Sequence, residues 1–133
     1  MPNWCENKLE IYGKVKQLDK FIKSVKGDNT DLSLEKLYPI KSTDCSNRND
    51  DWGTKWDIDA QVHGEAEDEW ISYHFNSAWA PPTGAILKGS GKHSTLQFTL
   101  HYVEPGMCFK GVFLCKNGKV VKDEFIDWNW PEE

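Results

Sequence analysis

Long apolar runs are missing from this chain. No stretch approaches the roughly 18 consecutive apolar residues that a bilayer-crossing helix needs, and the mean hydropathy is -0.67, so a membrane protein is not expected. An excess of basic charge is missing too: 16 Lys and Arg stand against 21 Asp and Glu in 133 residues, a formal charge of -5. Tracking a duplex requires a net basic face that displaces counterions from phosphates, so nucleic acid is not an expected partner. The start, "MPNWCENKLEIYG", has no basic opening, apolar run or small-residue cleavage site, which argues against a secretory leader and for a cytoplasmic protein.

Cysteines at metal-binding spacing are likewise missing. Cys5, Cys45, Cys108 and Cys115 are scattered and form no Cys-x-x-Cys, a pattern that fits free thiols in a reducing compartment better than zinc or a disulfide framework. "KGSGKHS" lacks the spacing of a phosphate loop and follows a helical pattern instead of preceding one. No metal, cofactor or catalytic residue is assigned on these grounds.

What the chain does have is tryptophan. Seven of them, Trp4, Trp52, Trp56, Trp70, Trp79, Trp128 and Trp130, exceed what one small core usually buries, because indole is large and its N–H needs a partner. Some are therefore expected to line a surface or a pocket.

Periodicity supplies the architecture. "NKLEIYG" alternates with Asn7, Leu9 and Ile11 on one face, and "KVKQLDKFIKSVKG" places Val15, Leu18, Phe21, Ile22 and Val25 at helical spacing before Gly27. Residues 32–37 read as a short extended piece leading into a polar loop, since Pro39 forbids a central strand. "WGTKWDIDAQVHG" alternates again with Trp56, Ile58, Ala60 and Val62 on one face, residues 65–69 read as a solvated acidic turn, and "EWISYHFNSAW" completes a hairpin. "APPTGAILKGSGK" suits a short helix entered through prolines and broken by Gly89 and Gly91. Three strands follow, with Leu96, Phe98, Leu100 and Tyr102 inward in the first and an Asn117-Gly118 turn joining the last two. The order β-α-β-β-α-β plus a hairpin predicts an α+β fold in one domain over residues 1–133: a split βαβ antiparallel sheet with two helices on one face and an added C-terminal β-hairpin.

Four phrases in register, "MPNWCENKLEIYG", "WGTKWD", "SAWAPP" and "YVEPGMCFKG", resemble the YubB-like ferredoxin-like domain proteins of bacteriophages and conjugative plasmids. The resemblance implies a ferredoxin-like fold and a mobile-element setting, and supplies no mechanism. On the fold it implies, Asn3, Trp4, Trp52, Lys55, Trp56, Trp79, Tyr102 and Glu104 collect near one end of the sheet as a ligand site. The alternative is that the indoles form a mini-core sealing that end. A second constellation, His63, His74 and His101 with Asp57 and Asp59, falls on the polar side of the strands. It suits metal binding or acid–base work in principle, and otherwise the solvated face of a half-buried sheet, which is the reading favoured.

The function expected from these residues is that of a non-catalytic binding module capturing a nucleotide-like small ligand to counter host defence. The rivals are a protein–protein module docking a basic host protein and an enzyme with His/Glu acid–base chemistry. Oligomeric state is left open.

Overall fold

In the computed structural model the described residues are 4–39, 52–54, 57–106 and 108–127. Asn3, Lys55 and Trp56 of the expected site, and Cys45, Trp128 and Trp130, lie outside them.

The alternation of the opening segment does place one face inward: β1 (Trp4–Tyr12) buries Cys5, Asn7, Leu9 and Ile11 and turns the residues between them outward. The other strands are β2 (Gln61–His63), β3 (Trp70–Ala78), β4 (Gln97–Glu104), β5 (Phe109–Lys116) and β6 (Lys119–Asp127). They form one sheet in the order β2-β3-β1-β4-β5-β6, and all neighbours run antiparallel. Leu9 lies opposite both Tyr73 and Leu100, and Leu100 opposite Phe113, so one apolar row crosses four strands.

Helices cover that row. α1 (Val15–Val25) buries Leu18, Phe21 and Val25, and the Phe21 ring meets Tyr73 and Phe98 edge-on at 6.1 and 5.5 Å between centroids. The third helix in chain order, α3 (Thr83–Lys92), buries Ala85 and Ile86, and the Cys115 thiol donates to the Ile86 carbonyl at 3.9 Å. Burying a Leu, Ile or Phe side chain of this kind stabilises the fold by about 1.5–3 kcal/mol each.

Four elements differ from the periodicity reading. The extended piece around residue 34 is instead a helical turn, α2 (Leu34–Leu37), capped by Ser33, whose hydroxyl accepts from Lys36 N. Asp57 completes the cap: its carboxylate accepts from the Ser33 hydroxyl at 2.9 Å, from Leu34 N at 2.7 Å and from Glu35 N at 3.3 Å. Helix first turns carry unsatisfied N–H groups, which a carboxylate serves well. The same bonds shorten β2 to three residues, because loop groups replace strand partners upstream of it. Ala60 N donates to the Thr30 hydroxyl at 2.7 Å and Val62 N to the Asp31 carboxylate at 2.9 Å. Ile58 and Ala60 still point inward and are buried.

Gly89 and Gly91 do not break α3, which runs through both. A Cβ at Gly89 would sit 2.5 Å from Leu37 Cδ1, so the glycine is where α3 closes on α2. The acidic run contains a 3-10 turn at Ala66–Asp68 with Ala66 buried, so it is tied to the core and not wholly solvated. The Asn117-Gly118 turn forms as the sequence predicts, both residues at positive φ (54° and 74°), and Gly118 N donates to the Ser90 hydroxyl of α3.

Candidate functional site

β1 begins, and β3 and β4 end, at the same edge of the sheet: Trp4 faces Ala78, and Glu104 follows the residue opposite Glu6. Residues 52–54 reach this end as well. Trp52 O accepts from Ala85 N at 3.1 Å, taking up a free donor of the α3 N-terminus, and Thr54 donates to Ala78 O at 2.8 Å. The Asn7 amide donates to Cys5 O and to the Ser77 hydroxyl, both at 2.9 Å, and Ser77 donates on to Ala80 O at 2.7 Å. Three of the phrases that carry the sequence resemblance are thus bonded to one another, and much of their specificity is architectural.

The expected site residues divide accordingly. Trp52 is 2% exposed, with its indole N–H on Tyr38 O at 2.8 Å, so it belongs to the core, as the mini-core alternative has it. Tyr102 and Glu104 are buried on the helix-covered side. Gly111 lets the Tyr102 hydroxyl lie across β5, where a Cβ would collide with it and with Glu124 O. Trp4 and Trp79 are each 44% exposed, and Trp79 adopts φ 70°, a strained conformation for a bulky residue. Cys5 is fully buried. Burial pushes its thiol up to about 12 against an opposing bond from Ser77, which leaves it unreactive at neutral pH.

The side of the sheet facing away from α1 and α3 holds a cavity of about 890 Å³. Such a volume accommodates a drug-sized or nucleotide-sized ligand. Its lining includes Glu6 and Lys8 from β1, His74 and Asn76 from β3, His101 from β4, Lys110 and Val112 from β5, and Asp59 and Gln61. A smaller recess beside it is lined by Trp4, Asp57, Ile58, Asp59 and Asn76, so the exposed indole of Trp4 stands at the rim. Of the polar constellation in the sequence reading, His74, His101 and Asp59 line the cavity, whereas Asp57 caps α2.

The polar groups on this wall are linked. Glu10 accepts from His101 Nε2 at 3.1 Å and pairs with Lys8 at 3.3 Å. Burial works to raise the Glu10 carboxyl, but the bonds from His101 and Lys8 outweigh it and hold it below the usual value. The His63 and His74 rings meet edge-on at 4.6 Å, diagonal neighbours in a register that pairs Gln61 with His74. Among the described residues no group of three or more His, Cys, Asp or Glu is placed to hold a metal ion, and no helix is long and apolar enough to cross a membrane.

Two imidazoles give the fold a pH dependence. Burial, then His63 and Lys8, holds His74 below the ordinary 6.5. Burial, then Lys92 and Lys20, does the same to His93, half-buried against Phe21 at 4.8 Å. A group that binds its proton less readily when folded contributes stability above its unfolded pKa and loses it as pH falls through the folded one. The melting temperature is therefore expected to fall as pH drops from neutrality through 6.5 and below, and His93→Gln to flatten part of that slope in a calorimetric pH series.

Over residues 51–133 the chain matches the family model described as the ferredoxin-like domain in Api92-like protein. The crystal structure of protein Api92 from Yersinia pseudotuberculosis superposes on it with a TM-score of 0.72, covering 100% of each chain at 9% identity. At that identity the likeness speaks for the fold alone. No curated protein matches the chain. These findings share with the sequence resemblance the ferredoxin-like domain, and they carry the name Api92-like where the sequence reading had YubB-like. The chain belongs to the family of ferredoxin-like domains of Api92-like proteins.

Proposed function

We propose that this protein is a non-catalytic binding module whose sheet face directed away from α1 and α3 takes a small, flat ligand of the nucleotide class. The cavity of about 890 Å³ on that face is the observation that carries the reading. Its chemistry fits. Lys8 and Lys110 supply positive charge beside the carboxylates of Glu6, Asp59 and Glu124, Asn76 and Gln61 supply amide donors and acceptors, and Val103, Val112 and Ile126 supply apolar floor. His74 offers an imidazole face at neutral pH because burial disfavours its protonation, and Trp4 at the rim offers a stacking surface. The site thus moves from the Trp-rich sheet end onto the adjoining strand face, keeping Trp4. The sequence resemblance to YubB-like proteins of phages and plasmids supports a mobile-element setting, in which capture of a host signalling nucleotide is the role we assign.

Thermal melting against mono-, di- and cyclic nucleotides tests this directly. A binder present at 100 times its dissociation constant adds about 2.7 kcal/mol to stability, or roughly 8–10 °C for a chain of this size. Lys8→Ala and His74→Ala are expected to abolish the shift for the compound that binds, with Trp4→Ala removing the accompanying change in tryptophan emission. A nucleotide shift that survives both Lys8→Ala and His74→Ala would place binding elsewhere, and no shift from any nucleotide would reject the ligand class.

A further inference from the structure

We infer that the recess beside Trp4 is a base subsite selective for guanine, read by Asp59 and Asn76, an inference that rests on the nucleotide reading of the adjoining sheet face. The recess, of about 350 Å³, is lined by Trp4, Asp57, Ile58, Asp59 and Asn76. Asp59 and Asn76 also line the larger cavity, so the two hollows meet at these side chains. A nucleotide fits that layout with its base in the recess and its sugar and phosphate in the cavity, towards Lys8 and Lys110.

Strand register brings the recess residues together. Trp4, Glu6 and Lys8 alternate with the buried Cys5 and Asn7, so the indole projects on the same side as the cavity wall. Asn76 lies opposite Glu6, and Trp4 opposite Ala78, which makes Trp4 and Asn76 diagonal neighbours. Asp59 stands between the buried Ile58 and Ala60 and is itself exposed. It lies two residues before Gln61, the partner of His74, and so arrives beside Asn76, two residues after His74.

The polar groups differ in what they can still offer. Asp57 is committed: one carboxylate oxygen accepts from Leu34 N at 2.7 Å and Ile58 N at 2.8 Å, and the other from the Ser33 hydroxyl at 2.9 Å. Among the described residues the side chains of Asp59 and Asn76 have no such partner. The recess thus presents an open carboxylate, an open amide and an indole, with no cationic side chain among its described lining, which suits a base and repels a phosphate. Among the common bases only guanine carries two adjacent ring-edge donors, N1–H and N2–H, with the O6 carbonyl beside them. The Asp59 carboxylate accepts from both donors, and the Asn76 amide donates to O6. Adenine and cytosine set a ring-nitrogen lone pair beside their amino group, and uracil flanks its N–H with two carbonyls. Each therefore turns a lone pair towards the carboxylate, which costs binding. Stacking on Trp4 serves every base and adds affinity without choice.

Isothermal titration calorimetry on the full chain, with guanosine, adenosine, inosine and xanthosine monophosphates, tests the assignment. The guanine nucleotide is expected to bind about 10- to 100-fold more tightly than the adenine nucleotide. Inosine monophosphate, which lacks only the 2-amino group, falls between them. Asp59→Asn replaces an exposed side chain with one of nearly the same shape. Its amide accepts from N1–H and donates to the carbonyl that xanthine carries at C2, so the variant is expected to lose guanine and prefer xanthosine monophosphate. Adenine bound as tightly as guanine, or a guanine preference unchanged in Asp59→Asn, would overturn the base assignment and leave the sheet face as a nucleotide site. Absence of binding by all four would overturn both.

Discussion

Asn7→Asp lowers the melting temperature at pH 7 by about 10–20 °C, and the gap from the parent narrows as pH falls. Asn7 is 6% exposed in the central strand, and what its side chain supplies there is a donor. The amide N–H groups reach Cys5 O and the Ser77 hydroxyl, both at 2.9 Å. Ser77 has no proton to return, because it donates to Ala80 O. The near-isosteric carboxylate turns this donor into a charged acceptor facing acceptors, and an uncompensated buried charge costs about 3–5 kcal/mol. For a chain of this size each kcal/mol moves the midpoint by roughly 3–4 °C. Protonation restores one donor, and burial raises the carboxyl so that recovery begins above the usual carboxylate range. Asn7→Ala, which removes the donor without adding charge, is expected to cost less. Should Asn7→Asp melt within about 2 °C of the parent, the bonds among the sequence phrases at this end of the sheet do not hold it together.

Phe21→Ala is the second large effect, at about 3–5 kcal/mol or roughly 10–20 °C in midpoint. Phe21 is fully buried and its ring meets three others: Tyr73 at 6.1 Å, Phe98 at 5.5 Å and His93 at 4.8 Å. Phe21→Leu, which retains most of the volume, is expected to lose less. A second readout separates this packing from general instability. Opening the cavity admits water to His93, so its imidazole, held low mainly by burial, should titrate closer to 6.5 in an NMR pH series. An unchanged His93 titration in the variant would show that Phe21 does not shield it.

The candidate site was legible in parts and for different reasons. Alternation in β1, β3 and β4 follows from the two-residue period of a strand, and it put His74 and His101 on the face away from the apolar row. What the pattern does not contain is the register between strands. Only the pairing of Gln61 with His74 brings His63 to 4.6 Å of it, and only the pairing of β1 with β4 sets Glu10 within reach of His101. Lys8, Asn76 and Lys110 carry no signal of their own until those registers assemble them into one wall. The tryptophans misled in the opposite direction. Abundance suggested a cluster, but Trp52 was drawn inward by the carbonyl of Tyr38, which is close in space and unremarkable in sequence.

By itself the sequence determined the order of the strands and the two long helices, the inward faces of β1, β3 and β4, and the Asn117-Gly118 hairpin, because each depends on neighbours a few residues apart. Tertiary structure alone decided that residues 34–37 coil, since the capping carboxylate comes from Asp57. It also decided that α3 runs through Gly89, whose missing side chain makes room for Leu37. The wall facing away from α1 and α3 took shape the same way, because distant strands had to meet in one register before their polar residues came together.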